Sequence, residues 1–124
     1  MATALDERAF MQRAFRLRDN DDFQRVHRAG QRLANHHLVL VHLPNGQATS
    51  RVGFAVGKKL GGAVVRNRVK RRLRALMEAR LRNDALPGGM DLVIIARQPT
   101  VEATFAQLSE AIDDLLRRAQ WRER

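Results

Sequence analysis

The stretch Lys58-Lys59-Leu60-Gly61-Gly62-Ala63-Val64-Val65-Arg66-Asn67-Arg68-Val69-Lys70-Arg71-Arg72-Leu73-Arg74 decides how this chain is read. It continues through Ala75, Leu76, Met77, Glu78, Ala79, Arg80 and Leu81 to Arg82. Apolar residues recur at three- and four-residue spacing, the period of an amphipathic helix, which predicts a helix over Ala63 to Arg82. Val65, Val69, Leu73, Leu76, Met77 and Ala79 gather on one side as a core-facing stripe. Asn67, Arg68, Lys70, Arg71, Arg72, Arg74, Glu78 and Arg82 fall on the other side. Within that face Asn67, Lys70, Arg71, Arg74 and Glu78 share one strip. Arg66 does not fit the outer face. It sits near the helix start, where it either reaches around the end or is partly covered. Lys58 and Lys59 extend the cationic surface ahead of the helix. Gly61 and Gly62 let backbone approach closely, and the free N–H groups at a helix start suit an anion.

Charge outside this stretch is nearly balanced. The 124-residue chain carries a formal net charge of +10. Residues 51–82 hold eleven Lys or Arg against the single acid Glu78, so this segment alone accounts for the imbalance. A solvated face normally mixes signs, because like charges repel in a compact state. A concentration of this kind points to a polyanionic partner. Twenty of the 23 basic residues are Arg, whose planar fork binds phosphate through two hydrogen bonds and stacks on bases. Two rival readings are a solvated basic helix without a ligand and a helix that reads DNA base edges. Against the second, the face is crowded with cations and leaves few uncharged polar side chains to read bases.

Working outward, residues 1–16 read as a flexible N-terminal extension. A helix is expected from Asp21 to Ala29, with Asp19 as N-cap, Asp22 in the first turn and Gly30 as the stop; Phe23, Val26 and His27 mark its apolar side. Leu38 to Leu43 and Arg51 to Val56 read as strands separated by the turn Pro44-Asn45-Gly46, and are expected to pair as an antiparallel hairpin. After Pro87-Gly88-Gly89, the apolar run Asp91 to Ala96 reads as a central strand. A last helix starts near Thr100 or Thr104 and buries Phe105, Leu108, Ile112, Leu115, Leu116 and Ala119. Residues 120–124 read as a frayed tail. The expected class is α+β: a single small domain over residues 17–119 with helices packed on a central, mostly antiparallel sheet.

The chain has no cysteine, a charged N-terminus where a signal peptide needs an apolar core, and apolar runs far shorter than the ~20 residues of a membrane span. These features point to a soluble, cytoplasmic protein. An unaided nuclease needs a general base and acid, or a cluster of metal-binding carboxylates. His36 and His37 are adjacent, with side chains expected on opposite faces of a strand. His27 and His42 are isolated, and Asp19, Asp21 and Asp22 are explained by helix capping. No catalytic residue and no metal ligand is assigned.

The run from Lys58 to Arg74 resembles the signature of the bacterial ribonuclease P protein component: paired lysines, a Gly, an Ala-Val step, an Arg-Asn-Arg core, then Lys-Arg and a further Arg. The resemblance extends to Leu17-Arg18 with Asp22-Phe23, Val26 and Gly30, to Arg51-Val52-Gly53, and to Leu92 through Arg97, covering about residues 16–118. It implies a ribosomal protein S5 domain 2-like fold with a left-handed βαβ crossover, against the usual hand. It also implies a subunit of a ribonucleoprotein whose RNA, using Mg2+, removes the 5′ leader of precursor tRNA. The protein itself is expected to hold no cofactor, to be inactive alone, and to engage ribonuclease P RNA and precursor tRNA but neither a membrane nor a small-molecule substrate. Carried over by position, Arg66, Asn67, Arg68, Lys70, Arg71 and Arg74 are the implied contacts to the catalytic RNA, with Lys58 and Lys59 on phosphates. Phe23 matches an aromatic position of the leader cleft. His27 and Val41 stand where relatives carry aromatics; a His ring still stacks, whereas Val41 does not. A ribosomal or general RNA-binding module without a catalytic partner is the alternative.

Overall fold

The computed structural model describes residues 16–119, except 18, 84, 85 and 87. The expected extension (Arg16 apart), the C-terminal tail and Pro87 lie outside the described residues. Helix α1 (Asn20–Ala29) leads into strand β1 (Gln31–Ala34) and strand β2 (Leu38–Pro44). Strand β3 (Arg51–Ala55) is followed by a 3-10 turn over Lys58–Leu60 and by helix α2 (Ala63–Arg82). Strand β4 (Met90–Ala96), a second 3-10 turn over Gln98–Val101 and helix α3 (Phe105–Arg118) complete the order.

Local chemistry sets the helix ends. Asp19 caps α1 by accepting from the Asp21 N–H at 3.0 Å. Thr104 and Gln107 form a reciprocal capping box at the start of α3, which fixes Thr104 as the cap. The bounds of α2 match those predicted from its period.

Among the described residues, four strands form one sheet in the order β1-β2-β4-β3. The β1–β2 and β2–β4 pairs are antiparallel, whereas β3 runs parallel to β4. The sheet is therefore mostly antiparallel, but the expected hairpin of the second and third strands does not form. Instead β4 inserts between β2 and β3. The physical reason lies in β4 itself, whose residues are buried on both faces and therefore take the interior of the sheet. The 20-residue α2 supplies the crossover a parallel β3–β4 pair requires. The connection from Pro44 to Ser50 passes against the one that precedes β4. A side chain at Gly89, where φ is +82°, would meet the Gln47 carbonyl at 2.9 Å, so glycine is required at this crossing. Ser50 Oγ accepts from the Met90 N–H at 2.9 Å and ties the two connections together. On the outer edge, the Leu17 N–H donates to the Val52 carbonyl at 2.9 Å. The short β1 carries no clear periodic signal, so sequence alone leaves a fourth strand undecided.

The sheet buries both faces, each against different helices. Leu38, Leu40, Val52, Leu92 and Ile94 pack with Val69, Leu73 and Met77 of α2 and with Leu108, Ile112 and Leu115 of α3. The opposite face is covered by α1: Val26 packs with Leu17, Val41 and Val93, flanked by Phe23, Val39, Leu43, Ala55 and Ile95. The alternation of inward residues along each strand creates this division. As a result, α1 and the basic helix α2 stand on opposite sides of one sheet.

Candidate RNA interface

Four buried side chains hold α2 in place: Val69, Leu73, Leu76 and Met77. Val65 is half-buried, and Ala79 is exposed rather than part of the stripe. The opposite face carries the cations. Asn67, Arg68 and Arg71 are exposed, while Lys70 and Arg74 are half-buried, consistent with their stems lying along the helix. Among the described residues, the side chains of Lys58, Lys59, Lys70, Arg71 and Arg74 enter no ion pair or hydrogen bond. Their charge is uncommitted within the fold and available to an anion.

The remaining arginines are committed in part. Arg66 Nε reaches back around the helix start to the Gly61 carbonyl at 3.2 Å, one of the two placements open to it from sequence. Arg68 Nη2 and Arg72 Nη1 lean on the Val101 and Ala103 carbonyls at 3.4 and 3.3 Å. These contacts leave further N–H groups on each guanidinium. Arg80 is structural. It donates to Asp113 at 2.9 Å, to Ser109 Oγ at 2.8 Å and to the Leu76 carbonyl at 2.8 Å, joining α2 to α3.

The α1 face is built differently. Phe23 is half-buried, and its ring lies over Gly53 of β3. A Cβ added at Gly53 would come within 2.8 Å of Phe23 Cε2 and closer still to Cζ, so only glycine admits the ring there. An open depression is lined by Phe23, Gln24, His27 and Arg28. His27 is exposed and lies on the depression rather than on the apolar side expected for it. Val41 is fully buried beneath α1, packed with Val26 and Val93. This corrects its expected place on the cleft wall: Val41 supports the helix from below.

Sequence reasoning missed the residue that docks α1. Asp91 opens an otherwise apolar strand and is fully buried. Its Oδ1 accepts from Arg51 Nε and Asn45 Nδ2, each at 2.9 Å. Its Oδ2 accepts from Arg25 Nη2 at 2.6 Å and Arg51 Nη2 at 2.7 Å. Asp22 completes the group, 3.3 Å from Arg51 and 3.5 Å from Arg25. Burial pushes the Asp91 carboxyl up, but the hydrogen bonds from Arg51, Asn45 and Arg25 outweigh it and hold the group below the usual carboxylate range. The visible signal was one charged residue at the head of an apolar run.

His36 and His37 occupy the bend between β1 and β2, not a strand, with ring centroids 4.9 Å apart in an edge-to-face contact. Burial, then the neighbouring His36, lower the pKa of His37. His42 is buried. Among the described residues no group of three or more His, Cys, Asp or Glu could hold a metal ion. Nor, among the described residues, is any helix long and apolar enough to cross a membrane.

The ribonuclease P family model matches residues 11–120. The chain belongs to the ribonuclease P protein family. The ribonuclease P protein component of Roseiflexus castenholzii is 46% identical over 110 residues, covering 88% of each chain. That of Brevibacillus brevis is also 46% identical, over 112 residues, covering 89% of this chain and 86% of its own. Solved structures agree. The Staphylococcus aureus ribonuclease P protein, in a mutant with defective mRNA degradation activity, superposes with a TM-score of 0.84 at 31% identity, covering 95% of this chain and 98% of its own. The protein from Thermotoga maritima gives 0.75 at 33% identity, over 83% and 96%. The family is thus the one the Arg-Asn-Arg run resembles, and the α+β fold is the one expected from the order of helices and strands.

Proposed function

We propose that this chain works as the protein subunit of a cytoplasmic ribonuclease P holoenzyme, with α2 on the catalytic RNA and the α1 depression on the 5′ leader of precursor tRNA. The observation that carries this reading is the state of α2. One face is locked into the core, while Lys70, Arg71 and Arg74, joined by Lys58 and Lys59 ahead of the helix, hold charge that no side chain among the described residues pairs with. A rigid helix presents these cations with little loss of freedom on binding, and each phosphate contact releases counterions. Asn67 adds a donor and an acceptor on the same strip.

On the other face, Phe23 offers a flat ring at a depression also lined by His27 and Arg28. Stacking there tolerates any base, which suits leaders of varied sequence. Because the sheet separates α1 from α2, one protein engages two RNA segments without competition between them. Hydrolysis belongs to Mg2+ held by the catalytic RNA, and the carboxylate Asp91 is consumed by its arginine and asparagine donors rather than arranged as a ligand. The chain's own residues bind and orient.

The test is cleavage of a precursor tRNA by the cognate ribonuclease P RNA at low magnesium, with and without the protein. Cleavage at the mature 5′ end only with both components is the expected result, and the double variant Arg68→Ala, Arg71→Ala should abolish the stimulation. Tight RNA binding with no stimulation would instead identify a general RNA-binding module. Cleavage by the protein alone would sink the assignment of the chemistry to RNA.

A further inference from the structure

Helix α3 breaks its own pattern at its first residue. Leu108, Ile112 and Leu115 are buried as their spacing requires, but Phe105, expected in the same row, stays 48% exposed. Among the described residues the other large apolar side chain left exposed is Val64, at 84%, in the first turn of α2. The two belong to one corner of the molecule. Val64, Arg68 and Arg72 are spaced by four and share a strip of α2. Arg68 and Arg72 donate to the carbonyls of Val101 and Ala103, on the connection that ends two residues before Phe105. The capping box of Thr104 and Gln107 fixes the backbone from which the ring projects.

A single exposed apolar residue is ordinary on a protein surface and would carry nothing by itself. Here the connection that leads into Phe105 also receives two guanidinium groups, through its Val101 and Ala103 carbonyls, on the flank of the helix that holds the chain's surplus charge. Glu102 is the one acid between Arg97 and Phe105. A nucleotide combines a flat apolar face with a phosphate and so complements both halves of this corner. A protein partner of matching apolar character would have to bury the guanidinium groups unpaired.

We propose that Phe105 stacks on an unpaired base of the catalytic RNA, with Arg68 and Arg72 beside its phosphates, so that the RNA interface extends from α2 onto the start of α3. This rests on the function proposed above. The experiment measures the affinity of the full-length protein for cognate ribonuclease P RNA at several salt concentrations. Phe105→Ala and Phe105→Leu should bind about 5- to 150-fold more weakly with an unchanged salt slope. Phe105→Trp should bind like the wild type, because planarity is kept. In a Trp121→Phe background, the Phe105→Trp fluorescence should be quenched on binding, a readout that does not depend on the alanine variant folding. Wild-type affinity for Phe105→Ala, equal affinity for the Leu and Trp variants, or unquenched fluorescence would each overturn the proposal. If the wild type binds and Arg71→Ala weakens it while Phe105→Ala does not, this inference alone fails. If the wild type does not bind the RNA, the underlying function fails instead.

Discussion

Replacing Asp91 with alanine removes a buried carboxylate from beneath four donors: Arg51 twice, Arg25 and Asn45. Removing one partner of a buried ion pair costs ~3–5 kcal/mol, chiefly because the remaining charge is stranded. Two features of this site place the loss at the lower end. The side chains of Arg25 and Arg51 are 38% and 20% exposed and so regain some water. Arg51 also keeps Asp22 at 3.3 Å. The expected loss is therefore ~3 kcal/mol. For a domain of about this size, each kcal/mol shifts Tm by roughly 4–8 °C, so Tm should fall by ~12–24 °C. The assay is thermal unfolding followed by circular dichroism, with amide exchange along α1 as a local measure. Because the network lies on the α1 face, leader affinity should fall while binding of the catalytic RNA through α2 persists below the new Tm. A Tm within about 3 °C of wild type would refute the claim that this cluster docks α1, since it corresponds to less than ~1 kcal/mol. The pH dependence follows from the lowered Asp91 pKa. A depressed carboxyl contributes stability that is fully present above its unfolded value near ~3.9 and is lost as pH falls through the lower folded value. The stability gap between wild type and Asp91→Ala should therefore narrow below about pH 4.

Gly53→Ala places a methyl group where the Phe23 ring now lies. It should cost ~1–3 kcal/mol in stability and weaken leader binding, checked by denaturant titration and leader cross-linking; unchanged values would mean the ring has a second resting place. Arg71→Ala and Arg74→Ala should each reduce the log–log salt slope of RNA binding by ~0.7–0.9, because neither side chain has a partner among the described residues. Arg80→Ala should cost ~1–3 kcal/mol in unfolding free energy by removing the bonds to Asp113 and Ser109 that join α2 to α3, with little effect on the salt slope. Arg80→Lys should not restore it, since a point charge does not reproduce the fork.

Much of this molecule was legible because its signals are local. The period of α2 defined its ends and separated Val69, Leu73, Leu76 and Met77 from the cations, since a helix face depends only on residues within a few turns. The Asp19 cap and the Thr104 start of α3 follow from side chains bonding to backbone two or three residues away. The uneven charge and the Arg-Asn-Arg run pointed to RNA and to the family without any knowledge of how the strands pair. Strand pairing was another matter. Leu38–Pro44 and Arg51–Ala55 are consecutive and separated by a turn, so a hairpin was the local reading; the outcome depended on β4, some forty residues on, taking the place between them. Only the tertiary structure shows that Arg25, Asn45, Arg51 and Asp91 meet, that Phe23 needs Gly53, and that Val41 lies under α1. It likewise decides that Arg80 serves the fold while Arg71 remains available, although both are arginines on one helix. Local pattern settles which residues can carry charge to an RNA; long-range packing settles which of them are uncommitted and which side of the sheet each faces, because burial and pairing are set by neighbours distant along the chain.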